Sequence, residues 1–282
     1  MKTIVLNIIK ASSVLIACLC IHPIFAQVEH VVKLGTAIMS LDAVDSYPQK
    51  LLEVIENSDT AVIVRISTFN EWEDVQTVKN LRYAPYVASR IYDEKLQKYL
   101  KPTTFINSES EGTRHLADSI FSGNEKTVVE IIRKALAVSS SLKFDELLAQ
   151  RIYNGDVSCM SSDYSLETMM GTCSECTNIF LALMRNRNIP ARFVRGMVFN
   201  QGSMTFHAWA EVWFNGFGWW AVDPQTGNEM TPYYFYKLHA GADTLECGCN
   251  SLSSYRFRNG GLIIDEQTVK YHPDCQQYRS IL

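Results

Sequence analysis

Apolar residues recur at three- and four-residue spacing through Ile179, Phe180, Leu183 and Met184, the signature of one buried helix face. The pattern stops at Asn186-Arg187-Asn188 ahead of Ile189-Pro190, because proline cannot continue a helix. Gly171 suits a tight entry to this helix, and Cys173 falls at or within its first turn. Downstream the period changes. Ala191 to Phe199 reads as a strand, Asn200 to Ser203 as a turn, and the aromatic and β-branched run Phe206 to Phe214 as a second strand. Asn215-Gly216-Phe217-Gly218 is a turn signal, and Trp219 to Asp223 is a third strand ending at Pro224. On an extended strand His207, Trp209, Glu211 and Trp213 share a face. Trp219 and Trp220 take opposite faces, one for the core and one for the wall of a groove.

Upstream, His115 to Phe121 and Lys126 to Leu142 carry helical periodicity, with His115 on the surface. Thr60 to Ile66 reads as a strand. Leu51, Leu52 and Ile55 suggest a short helix after Pro48, and Tyr86 to Leu100 a longer one ended by Lys101-Pro102. Residues 150–165, rich in Ser, Asp and Gly, read as a loop ahead of Cys173, with Tyr153, Asp156 and Tyr164 as candidates to reach a cleft.

This pattern brings chemistry together. Unpaired backbone N–H groups and the positive dipole end at a helix start favour thiolate over thiol, which would make Cys173 a nucleophile rather than a small buried hydrophobe. Antiparallel pairing of the last two strands sets Asp223 beside His207. A cysteine, an imidazole and a carboxylate are the nucleophile, base and orienting group of acyl transfer. Glu211 has two readings, a cleft residue or a structural one, and the structural one is preferred.

The same residues carry a resemblance. Gly171-x-Cys173, Ile189-Pro190-Ala191-Arg192, His207-Ala-Trp-Ala-Glu211 and Gly218-Trp-x-x-Val222-Asp223-Pro224 resemble the transglutaminase-like superfamily. Cys176 stands where that family often has an aromatic residue, and Asn188 where glycine is usual. The resemblance implies an α+β class with a papain-like core, a nucleophile helix packed on an antiparallel sheet. It implies Cys173, His207 and Asp223 as the catalytic residues of a cysteine hydrolase or acyltransferase. Its substrates would be proteins or peptides, cell-wall peptides among them, cleaved or transamidated through an acyl-thioester. The implied organisation is a catalytic core over 101–235, an N-terminal helical or mixed segment over 27–100 packed on it, and a cysteine-containing extension over 236–282.

Composition narrows the setting. The chain has 282 residues, 47% hydrophobic and 20% charged, with a formal charge of −4 and no basic stripe for nucleic acid. Residues 1–26 read as a secretory signal: Lys2 and Lys10, then an apolar stretch ending Ile24-Phe25-Ala26, too short and interrupted for a transmembrane span. The alternative is a lipid anchor through Cys18, because Leu15-Ile16-Ala17-Cys18 resembles a lipobox; the apolar run continuing past Cys18 favours plain export. No cofactor is expected. Cys247, Cys249, His272 and Cys275 could bind structural zinc, but in an exported chain a tail disulfide is the preferred reading. Two further readings remain: thiol–disulfide exchange by Cys173-Ser-Glu-Cys176, and a non-catalytic cell-surface binding module using Trp209, Trp213 and Trp219.

Overall fold

In the computed structural model the described residues are 27–34, 41, 44–47, 49–58, 62–69, 75–200, 203–230, 235–247, 267–270 and 281–282. The calls on residues 1–26, on Cys18 and on Cys249, His272 and Cys275 lie outside them. The strands are β1 (Gln27–Leu34), β2 (Gln49–Asn57), β3 (Val62–Phe69), β4 (Lys143–Phe144), β5 (Met170–Gly171), β6 (Ala191–Asn200), β7 (Ser203–Phe214), β8 (Gly218–Asp223), β9 (Asn228–Glu229), β10 (Phe235–Gly241) and β11 (Gln267–Lys270). The helices are α1 (Val75–Arg82), α2 (Glu94–Gln97), α3 (Glu111–Ile120), α4 (Val128–Ser139), α5 (Glu146–Asn154), α6 (Ser162–Thr168) and α7 (Cys173–Asn186). The class is α+β: α7 lies on the antiparallel sheet β10-β6-β7-β8-β9, and β11-β1-β3-β2 form a second sheet.

Helix α7 is the axis of the core. It is buried from Ser174 to Arg185 and packs against α3, α4, α6, β6 and β7. Ile131, Ile132 and Leu136 of α4 close over it, and Ala208, Ala210, Val212 and Phe214 of β7 lie beneath, all almost wholly excluded from solvent. Small residues at 208 and 210 let the helix come close to the strand. At the far end Arg185, itself buried, donates to the carbonyls of Lys101, Ala191 and Ala242, so the turn after the helix is tied to three other segments. Asn188 takes a left-handed φ of 55°, which accounts for glycine being usual there, and its amide reaches the carbonyls of Ala88 and Arg90.

Three expectations fail. Residues 49–57 form strand β2, not a helix: the pairing with β3 shifts register at Leu51/Glu53 and at Val54/Glu56, and these irregularities erase the alternation that marks a strand. From Tyr86 to Leu100 only α2 is helical. Backbone groups there are committed elsewhere, Tyr86 N–H to Lys126 and the carbonyls of Ala88 and Arg90 to Asn188, and Ile91 is 93% exposed, so no apolar face exists to bury. Residues 150–165 are mostly helix, because their polar residues cap helices: Ser161 opens α6 and Gly155 closes α5 in a left-handed conformation. Among the described residues no helix is long and apolar enough to cross a membrane.

Candidate active site

Cys173 is the first residue of α7, and a capping box holds it there. Thr172 is the N-cap, and Glu175 accepts from the Thr172 N–H at 2.8 Å and from its hydroxyl at 2.6 Å. The second Glu175 oxygen accepts the Met160 N–H at 2.7 Å, so this fully buried carboxylate also anchors the segment between α5 and α6. Gly171 is required here: a Cβ would lie 2.4 Å from that of Glu175.

The three residues predicted from sequence converge. His207 Nε2 lies 3.0 Å from Asp223 Oδ2, which leaves Nδ1 for the thiol of Cys173, with which His207 also hydrogen-bonds. Asp223 stands at the end of β8, where its other oxygen accepts the Gln225 N–H at 3.0 Å. The backbone N–H of Ala208 points at the sulfur. Burial opposes ionisation of Cys173, but the hydrogen bond and charge of His207, the Ala208 N–H and the charge of Arg195 outweigh it and hold its pKa below the usual thiol value. Burial likewise opposes the charge on His207, yet Asp223 and the Cys173 sulfur raise its pKa well above the ordinary imidazole range. Asp223 is held low by His207 and the Gln225 N–H against the opposing effect of burial. Together these shifts favour the thiolate–imidazolium form of the Cys173–His207 pair over the neutral one.

A cavity of about 300 Å3 opens over the sulfur, lined mainly by apolar groups of Phe144, Ile152, Tyr153 and Phe206, with Arg195 and His207 as its cations. Of the three upstream candidates Tyr153 reaches it. Asp156 is exposed elsewhere, and Tyr164 donates to Asp145 at 2.6 Å. Trp219 does not line it either; its ring packs on Trp213, Tyr99 and the guanidinium of Arg192. Glu211 is structural, fully buried between Arg192 and Lys237. Sequence reasoning missed Phe144 and Arg195. Phe144 arrives through the two-residue parallel pairing of β4 with β5, which carries no sequence signal. Arg195 had one: a two-residue β6–β7 connection sets Asn200 opposite Ser203 and hence Gly196 opposite His207, with Arg195 next to it. No metal-binding cluster of His, Cys, Asp or Glu occurs among the described residues.

Residues 114–224 match the transglutaminase-like superfamily. This stretch is a transglutaminase-like core. The solved structure of a candidate cysteine protease from Cytophaga hutchinsonii shares its fold, with a TM-score of 0.56 over 91% of this chain and 95% of that one, at 14% identity. The periplasmic domain of TgpA from Pseudomonas aeruginosa aligns over 65% of this chain and 62% of that one, at 18% identity and a TM-score of 0.39. No curated protein matches the chain. The matched stretch contains α7, β6, β7 and β8, and the match ends at Pro224, just after Asp223.

Proposed function

We propose that the protein is an exported cysteine enzyme that acts on amide bonds of proteins or peptides through an acyl-thioester. The observation that carries this reading is the Cys173–His207–Asp223 relay opening into a cavity. The Cys173 thiolate attacks the carboxamide carbon, the imidazolium of His207 gives its proton to the leaving amine, and the C–N bond breaks. Neutral His207 then takes a proton from water or from an acceptor amine as that nucleophile attacks the thioester, and the thiolate leaves. Asp223 orients the ring and stabilises its charged form. The backbone N–H of Cys173, at the start of α7, is a donor for the oxyanion.

The exchange reading is disfavoured. Cys176 is buried, and burial, with the nearby Cys173, Glu175 and Asp223, pushes its thiol up to about 12, so it is a poor partner for disulfide exchange. Export rests on the apolar, lysine-flanked start of the chain. The test is intact mass of the protein during turnover of glutamine-containing and cell-wall peptides, with and without a primary amine. An adduct of acyl mass on Cys173, absent in Cys173→Ala, supports the reading; turnover that survives Cys173→Ala overturns it. Which product accumulates, acid or substituted amide, decides between hydrolysis and transamidation.

A further inference from the structure

The cavity beside Cys173 has an apolar wall that comes mostly from elements other than those carrying its chemistry. Phe144 of β4 stands with Ala149, Ile152 and Tyr153 of α5, and Phe206 of β7 continues the wall. On α5 the three residues lie at i, i+3 and i+4 and share one helix face. The residue that α5 buries is Leu148, so this face is not what fastens the helix to the core. Phe144 and Tyr153 stay 50% and 56% exposed. Single exposed apolar residues are ordinary, but these converge on one concavity that contains a nucleophile. The wall is also fixed relative to the sulfur. The Asp145 N–H donates to the Gly171 carbonyl at 3.0 Å, two residues ahead of Cys173, and the Asp145 carboxylate caps α5 by accepting the Leu148 N–H at 2.9 Å. The charged groups bordering the cavity are engaged within the protein: Cys173 with His207, His207 with Asp223, and Arg195 with Thr244. What the cavity offers a ligand is therefore chiefly apolar contact.

We propose that this cavity is an apolar specificity pocket: the acyl donor carries a large apolar side chain beside the scissile amide, seated on Phe144, Ile152, Tyr153 and Phe206, and Ala149 sets the room for it. The substrate assignment rests on the amide-transfer reading above; the pocket itself does not. A volume of about 300 Å3 lies at the lower end of ligand pockets, room for one such side chain and its amide rather than for a long segment. A side chain larger than a methyl group at position 149 would take up part of that room. Withdrawing a phenyl-sized group from water is worth roughly ten- to a hundredfold in binding.

The experiment compares alkylation of Cys173 by N-benzyl-iodoacetamide and by iodoacetamide, located by peptide mapping. In both, the thiolate sulfur bonds to the methylene carbon and iodide leaves, so any change in thiolate population cancels in the ratio of the two rates. Wild type should favour the benzyl reagent by about tenfold over the ratio that a small free thiol shows, and a ratio equal to the free thiol's overturns the pocket. Ala149→Trp should bring the ratio down to the free-thiol value; a ratio unchanged from wild type overturns the role of α5. If Ala149→Trp does not fold, Ile152→Ala decides: it removes part of the wall and should lower the ratio severalfold, and no change overturns the assignment. Peptides differing only in Phe or Ser beside the cleaved amide complete the test. Wild type should favour the Phe member in kcat/KM, and the folded variant should lose that preference; equal turnover of both by wild type overturns the substrate class. If wild type cleaves neither peptide while the alkylation ratio behaves as expected, the apolar pocket stands and the amide-transfer reading fails.

Discussion

At the residue scale, reactivity comes from one contest. Burial raises the pKa of Cys173, and the hydrogen bond and charge of His207, with the Ala208 N–H and Arg195, together lower it by more. Removing the ring leaves burial in charge. Wild-type Cys173 should therefore alkylate with an acid limb below the ordinary thiol value of about 8.5, and His207→Ala should move that limb above it. The sign for stability follows. The raised pKa of His207 contributes stability that is complete below about pH 6.5 and is lost as pH rises through the folded value; the lowered Asp223 contributes stability above about pH 4, lost as pH falls through its folded value. On turnover, His207→Ala should remove nearly all activity, because in the proposed reaction this ring carries the proton. Asp223→Asn should cost about a hundred- to a thousandfold, less than the ten-thousandfold of the serine-protease example, because a preformed thiolate asks less of its base. Steady-state kinetics checks both, and equal losses would refute the assigned division of labour. Cys176→Ser should keep most of the activity, since that thiol is buried and protonated; a loss matching Cys173→Ala would return exchange chemistry to consideration.

At the element scale, what a local pattern determines was legible and what distant pairing determines was not. The helix from Cys173, the strands of residues 191–223 and the meeting of His207 with Asp223 could be read from period, proline and turn residues, since each signal lies within a few positions of its effect. The capping box of Thr172 and Glu175 was not read from the sequence, although Thr-x-x-Glu spacing can signal one, and the structure shows that Glu175 serves Met160 as well. Strand β2 was illegible because its register shifts depend on β3, and the region 86–100 because its carbonyls answer to Asn188, about a hundred residues away. Glu175→Ala tests the element directly. It strands the N–H groups of Thr172 and Met160 in a buried site, for an expected stability loss on the order of 2–4 kcal/mol by urea titration. It should also slow Cys173 alkylation as the helix start loosens. Gly196→Ala should be worse for the site, since its Cβ would fall 1.9 Å from the Tyr236 carbonyl oxygen and 2.5 Å from the Trp209 ring, forcing β10 away from the strand opposite His207.

At the scale of the whole molecule, a buried charge cluster joins the core sheet to the segment before it. Glu211, on the same strand as His207, binds Lys237 Nζ at 2.6 Å through one oxygen and Arg192 Nη2 at 2.5 Å through the other. Lys237 Nζ also donates to the Tyr47 carbonyl at 2.7 Å, and the Gln49 amide bridges the Lys237 backbone, so β2 begins fastened to β10. Burial opposes the charge on both Glu211 and Lys237. For Glu211 the two cations win and its pKa is lowered; for Lys237 burial wins and its pKa falls to about 8. Glu211→Gln leaves two buried cations facing a neutral amide, and an expected loss of about 3–5 kcal/mol follows. Lys237→Met leaves Glu211 paired with Arg192 and should cost less. The pH dependence separates the two. Between about pH 8 and 10.4 the unfolded chain holds the Lys237 proton that the folded chain releases, so this group makes wild-type stability rise with pH there, and Lys237→Met should abolish its share of the rise. Glu211 acts at the acid end: its contribution is present above about pH 4.3 and disappears as pH falls through its lowered folded value. Urea titrations of wild type and both variants at acid, neutral and alkaline pH measure all of this. A Lys237→Met loss equal to or larger than that of Glu211→Gln would show that the lysine's grip on Tyr47, rather than neutralisation around Glu211, holds the two sheets together.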